Sequence, residues 1–276
     1  MPFRIQFTTD CIVPLDTWKM QAAENAHWPR VELGKARNRP LAVVGGSPQV
    51  LHDLEELRAW PGDIWAINYT AEWLLSHGIE STLFTVDPGG DPNDPGPVNS
   101  PVRKRLLATS CPPAMFTEDT LAFDMVETHA LGFAGGTCSA TRAPFLALSM
   151  GYTDVHFFGC EGSFEGADHV DRDECARPEL NEVFQRRFIV RAGGRDYITR
   201  PDYYVQCIEF VRLFTEFSCV FKNRSGGLLK AMLDYPDTWE VIAVSAGLKA
   251  HLEEINGKQG LYEGNPSYPL AAQEPA

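Results

Sequence analysis

Apolar residues in this chain fall into short unbroken runs, separated by stretches with helical spacing. Leu41 to Val44 (LAVV) is the clearest run, rich in β-branched residues and suited to a strand buried on both faces. Asp63 to Asn68 (DIWAIN), Ser81 to Val86 (STLFTV), Pro113 to Phe116, Asp154 to Gly159 (DVHFFG) and Ser218 to Phe221 read as further strands. Between them, Val50, Leu51, Leu54 and Leu57 keep helical spacing, and Thr70 to His77 predicts a helix closed by Gly78. Pro101 to Ala108 predicts a short helix, and Glu118 to Phe133 has no clear pattern. Gly135-Gly136-Thr137 is expected to open a helix ending near Met150, with Pro144 inside it to kink or delay it. Thr199-x-x-Asp202 has the form of a capping box ahead of a helix through Phe214. Strands alternating with helices imply right-handed crossovers. The expected fold is therefore α/β, a mostly parallel sheet of about six strands with helices on both faces.

The first junction carries the first chemical suggestion. Gly45 and Gly46 follow the LAVV run, Ser47 can cap the next helix, and Pro48 suits its first position. A buried strand, a glycine turn and a capped helix leave backbone N–H groups at a positive helix end, which suits phosphate. The turn lacks the third glycine of the dinucleotide fingerprint and the Lys-Ser/Thr of a P-loop. A tight connection without a ligand has the same form.

Residues 1–39 read as an N-terminal extension packed on the core and 40–235 as the nucleotide-binding domain. Residues 160–200 form a lid-like polar insertion, and 236–276 a C-terminal tail. Pro88 to Pro101 is saturated with turn residues. No internal repeat is visible. The 276 residues fit one large domain with appendages, 44% hydrophobic and 22% charged. A formal net charge of −13 argues against a nucleic-acid partner, since such binding neutralises phosphates with Lys and Arg. No apolar run approaches the roughly 20 residues of a membrane span. The opening residues lack a signal-peptide pattern, so a cytoplasmic protein is expected. Seven scattered cysteines without C-x-x-C predict reduced thiols. A homo-oligomer is compatible with all of this.

In a parallel sheet, ligands bind beyond the carboxyl ends of the strands. Those ends supply Gly45, Gly46, Ser47, Asn68, Asp87, Glu118, Gly159, Cys160, Glu161, Asn223, Ser225 and Gly226, with Gly135, Gly136 and Thr137 at a second glycine turn. Asn68 suits a ribose or phosphate, and equally the cap of the next helix. Asp87 suits Mg²⁺ held together with substrate phosphates, or an Asx-turn. His169, near Glu161, has the pKa of a general base or acid, or is a solvated loop histidine. Zinc through His156, Cys160, His169 and Cys175 matches no standard spacing. Arg186, Arg187, Arg191, Arg195 and Arg200 suit a phosphate clamp or a charged solvated arm, and Tyr197, Tyr203 and Tyr204 suit stacking or core packing.

The order PLAVVGGSPQVL, WAINYTAEWLLSHGI, TLFTVDP, GGTCSATRAPFLALSMGYTDVHFFGCE and VFKNRSGGLL resembles the 6-hydroxymethylpterin diphosphokinase MptE-like family. Flagellar motility accessory factors, which are sugar transferases, share that domain, and the blocks are also similar to bacterial CMP-sialic-acid-dependent sialyltransferases. The resemblance covers roughly residues 40 to 230. It implies a Rossmann-like sheet and a transferase whose donor is ATP, with Mg²⁺, or a nucleotide sugar, acting on a small-molecule or glycan acceptor. Gly45, Gly46 and Ser47 would face donor phosphate, Asn68 phosphate or ribose, and Gly136-Thr137 the nucleotide. Glu161 stands where the family usually has Asp, and Pro144 is a departure. His169 would deprotonate the acceptor in the sialyltransferase-like version. Diphosphoryl transfer to a hydroxymethyl heterocycle leads; glycosyl transfer and a non-catalytic nucleotide-binding module are the alternatives. Catalytic candidates are thus Asp87, His169 and Glu161, with Asp87 as metal ligand.

Overall fold

A computed structural model of the chain describes residues 13–89, 98–125, 138–164 and 188–243. Its centre is a parallel sheet of seven strands: β1 (Leu41–Val44), β2 (Asp63–Ile67), β3 (Thr82–Thr85), β4 (Arg105–Ala108), β5 (Thr120–Phe123), β6 (Val155–Phe158) and β9 (Phe221–Asn223). The order is β5-β4-β3-β2-β1-β6-β9. Strand β1 is wholly buried and pairs with β2 and β6, Val44 lying opposite Ala66 and Phe158. The chain builds outward from β1 through β5, then crosses back to lay β6 and β9 on the other side. The order therefore reverses between β1 and β6, where open α/β sheets bind ligands.

Around the sheet lie α1 (Leu15–Glu24), α2 (Leu54–Arg58), α3 (Thr70–Ser76), α4 (Ser139–Ser149), α5 (Pro201–Glu216) and α6 (Gly227–Asp234). The α/β Rossmann-like expectation holds. Its first three strands, β6 and most helices fall where the pattern places them, because strands buried on both faces show as continuous apolar runs. Ser47 caps the next helix by accepting the Gln49 N–H at 3.4 Å, although its first six residues, Pro48–Asp53, are 3₁₀.

Several expectations are corrected. Pro101 to Ala108 is not a helix: Arg105 to Ala108 is β4. The charged residue that hides it, Arg105, is only 4% exposed and donates to the carbonyls of Ser100, Val102 and Met115. Pro113 to Phe116 is not a strand but a 3₁₀ turn, Pro113–Met115. The fourth and fifth strands are instead β4 and β5, the latter in a stretch without clear pattern. Strand β5 is stabilised non-locally, since Ala122 exchanges hydrogen bonds with Pro29 and Val31 of the N-terminal segment. That segment covers an edge which would otherwise be open. The strand expected from Ser218 to Phe221 instead starts at Phe221, as β9. The capping box at Thr199 is absent: the Thr199 hydroxyl donates to Gly162 O at 2.6 Å, and Arg200 is the N-cap with Pro201 behind it. Helix α4 begins at Ser139 and runs through Pro144.

The polar excursion contains strands. β7 (Phe188–Ala192) and β8 (Arg195–Thr199) form an antiparallel hairpin. Gly193 and Gly194 turn it with φ of 57° and 75°, the pair of positive values a type I′ turn needs. β10 (Glu240–Ala243), in the segment assigned to the tail, pairs with β7 and completes a three-stranded sheet.

Candidate functional site

The C-terminal ends of β1 and β6 meet main chain to main chain. The Gly45 N–H donates to Phe158 O at 2.8 Å, and the Ser47 N–H to Gly159 O at 3.1 Å. A Cβ on Gly45 would lie 2.3 Å from the Gly159 oxygen, and one on Gly159 2.5 Å from the Gly45 oxygen. Gly159 also has φ 64°. These glycines therefore permit a backbone contact that no side chain allows. The amides of Gly45 and Ser47 are spent on β6. Among the described residues, only the Gly46 N–H of those three has no partner.

Ser225 and Glu161 lie alongside and serve the frame. The Ser225 Oγ accepts the Cys160 N–H at 2.9 Å and donates to Phe157 O at 3.3 Å, clasping β9 to β6. Glu161, 2% exposed, meets the start of α6. Its Oε1 accepts the Gly226 N–H at 3.4 Å and its carbonyl the Leu229 N–H at 2.9 Å. A carboxylate there is favoured by the positive helix end.

Asp53 is a neighbour of this cluster that the sequence pattern does not single out. Burial, with Glu161 and then Glu56 adding repulsion, pushes its carboxyl up to about 6. Its only local sign is an acid six residues beyond the Ser47 cap. Burial pushes the Cys138 thiol up to about 11 and raises those of Cys160 and Cys207 well above the ordinary value, so they remain protonated. His156 is committed elsewhere: the Arg224 Nε–H donates to its Nδ1 at 3.1 Å, and its Nε2 lies 3.0 Å from Asp154.

On the other side of β1 the rim is built from side chains. Asn68, just past β2, has φ 50°, alone among described non-glycine residues in being positive. Its N–H donates to Phe84 O at 3.1 Å and its carbonyl accepts the Ala71 N–H at 3.3 Å. Its Oδ1 lies 3.5 Å from the Ser139 hydroxyl at the start of α4. Asp87, exposed past β3, accepts the Gly89 N–H on Oδ1 at 2.9 Å, the Asx-turn geometry. No group of three His, Cys, Asp or Glu side chains among the described residues is arranged to hold a metal ion.

Gly45, Gly46, Ser47, Gly159, Glu161 and Ser225 thus gather at the β1–β6 junction, with Asn68 and Asp87 further along the same rim. Gly136, Thr137 and His169 lie outside the described residues, as do Cys175, Arg186 and Arg187. Arg191 pairs with Asp196, and Arg200 with Asp202 while stacking over Tyr203 at 4.0 Å. Tyr204 packs edge-on against Phe188 and Trp239, and Arg195 lies over Tyr197. None of the described helices is long and apolar enough to cross a membrane.

No family model matches the chain, and no curated protein matches it either. Among solved structures it is similar to the MAf glycosyltransferase from Magnetospirillum magneticum AMB-1, with a TM-score of 0.55 at 16% identity. The match covers 77% of this chain and 36% of that one, so the chain spans little more than a third of that enzyme's length. This likeness places the two in one fold.

Proposed function

We propose that the chain is a transferase which binds a nucleotide-activated sugar along the rim from Gly46 to Asn68 and passes the sugar to an acceptor hydroxyl. The observation that carries this reading is Asn68, a strained, anchored amide on the carboxyl rim just past β2, one strand away from the reversal between β1 and β6. The fold shared with a glycosyltransferase supports it. In the reaction, the acceptor oxygen bonds to the sugar's anomeric carbon as the bond from that carbon to the donor phosphate breaks. The acceptor proton needs a base. His169 has the intrinsic pKa for it, and Asp53, raised to about 6, is a carboxylate of increased basicity at neutral pH. N–H donors oppose the charge developing on the departing phosphate.

ATP- and Mg²⁺-dependent diphosphoryl transfer would place the metal at Asp87. With Oδ1 engaged by Gly89, that carboxylate offers one further oxygen, so donor phosphates would supply most of the coordination. Thermal-shift and calorimetric titration with CMP, UDP, GDP and ATP, with and without Mg²⁺, tests both. Saturation about a hundredfold above Kd adds roughly 2.7 kcal/mol, a shift of several degrees. A response to CMP, UDP or GDP, followed by hydrolysis of the matching nucleotide sugar in mass spectrometry, supports glycosyl transfer. A response to ATP only, and only with Mg²⁺, replaces it with the diphosphokinase reading. Binding without turnover leaves the nucleotide-binding module.

A further inference from the structure

The orientation of the Asn68 carboxamide follows from hydrogen-bond accounting. Ser139 is 5% exposed, and its Oγ accepts the Val86 N–H at 3.1 Å. A serine hydroxyl has one proton to donate, and the neighbouring acceptor is Asn68 Oδ1 at 3.5 Å. Turning the amide round would strand the buried Ser139 proton, whose acceptor is this oxygen. The Asn68 oxygen therefore faces α4. Its two Nδ2 hydrogens face away from Ser139, and no described residue takes them.

The main chain of Asn68 is fixed as well, by Phe84 and Ala71. A glycine would hold this left-handed turn without strain. What asparagine adds is an amide whose oxygen is anchored and whose donors are unspent. We infer that Ser139 is a positioning residue for the transfer reaction: it holds the Asn68 carboxamide so that its NH₂ meets the phosphate or ribose oxygens of the donor. Through Val86 the same hydroxyl fixes the end of β3, one residue before Asp87, so α4, β2 and β3 converge on one hydrogen-bonded point.

The inference rests on the donor reading above, and the test separates the two. Wild type and the variants Asn68→Asp, Asn68→Gly, Ser139→Ala, Ser139→Thr and Ser139→Ala with Asn68→Gly are titrated calorimetrically with CMP, UDP, GDP and ATP. Urea midpoints are measured in parallel. Aspartate tolerates the left-handed turn and still accepts from Ser139, but presents an oxygen where the NH₂ was. Asn68→Asp is expected to weaken nucleotide binding at least about tenfold at an unchanged midpoint. Ser139→Ala is expected to weaken it about three- to tenfold in wild type and not at all in the Asn68→Gly background, while Ser139→Thr binds as wild type. Equal losses from Ser139→Ala in both backgrounds, or wild-type binding by Asn68→Asp, overturn the inference and leave the donor reading standing. If wild type binds none of the four nucleotides, the donor reading falls and takes the inference with it. Should Ser139→Ala fail to fold, Asn68→Asp and Ser139→Thr still decide the matter.

Discussion

The two junctions flanking β1 solve the same problem in opposite ways. Between β1 and β6, Gly45 and Gly159 bring two backbones into contact, and the turn's amides of Gly45 and Ser47 are consumed by Phe158 and Gly159. Between β2, β3 and α4, the chain ends are joined through the Asn68 and Ser139 side chains, and the Asn68 NH₂ stays unspent. A glycine-rich turn after a buried strand therefore reports a close approach of main chain. It does not by itself report a phosphate cradle. On the proposed reading, the group that recognises the ligand is the anchored amide on the other side.

The largest effect is expected at the glycine junction. Gly159→Ala must open a 2.5 Å contact and hold a positive φ, and Gly45→Ala a 2.3 Å contact. Each is expected to cost more than about 4 kcal/mol or to abolish soluble expression, read as the urea midpoint. A midpoint near wild type would show that the junction is no wedge. Ser225→Ala comes next. It strands the Cys160 N–H and is expected to cost about 1–3 kcal/mol in the same assay.

Asp53→Asn tests the electrostatics beside that junction. In the folded protein the Asp53 carboxyl is pushed up to about 6 from an ordinary 3.8, so ionising it opposes folding. That penalty is fully present above about pH 6 and fades as pH falls through 6 towards 4. Asp53→Asn is therefore expected to gain of order 1 kcal/mol at pH 8, after discounting for partial exposure, and nothing at pH 4. His156 titrates in the opposite sense, because burial lowers it and stability falls as pH drops below its ordinary 6.5. The difference between wild type and variant isolates Asp53. A gain that does not depend on pH would contradict the raised carboxyl.

The smallest net effect is expected from Asn68→Gly, at the side-chain junction. Asn68→Gly relieves the strain but strands the Ser139 proton, and the two are expected to offset to within about 1 kcal/mol, whereas Asn68→Ala keeps the strain as well and costs about 2 kcal/mol. If both cost as much as Gly159→Ala, the two junctions are alike and the comparison fails.

How far the sequence discloses this arrangement follows from how local each cause is. β1, β2, β3 and β6 are legible because strands buried on both faces must be apolar throughout. β4 is hidden by Arg105, whose charge is satisfied by carbonyls up to 10 residues away. β5 and β10 depend on partners distant in sequence, Pro29 and Val31 for one and β7 for the other. The β7–β8 hairpin announces itself only in Gly193-Gly194, set among charges. At the site, the position of Asn68 is visible at a strand end, but its orientation comes from Ser139, 71 residues later. Asp53 acquires its raised pKa first from burial and then from Glu161, far along the chain, with only the smaller share from nearby Glu56.

The most direct test of the central claim is a titration followed in the ¹⁵N–¹H spectrum of the ²H,¹⁵N-labelled full-length chain, assigned by Asn68→Gly and Ser47→Ala. The account predicts that whichever of CMP, UDP, GDP and ATP binds shifts the Asn68 side-chain NH₂ pair strongly, and the Gly45 and Ser47 amides, already bonded to β6, far less. Shifts concentrated on Gly45 and Ser47, with the Asn68 NH₂ unmoved at saturation, would contradict it.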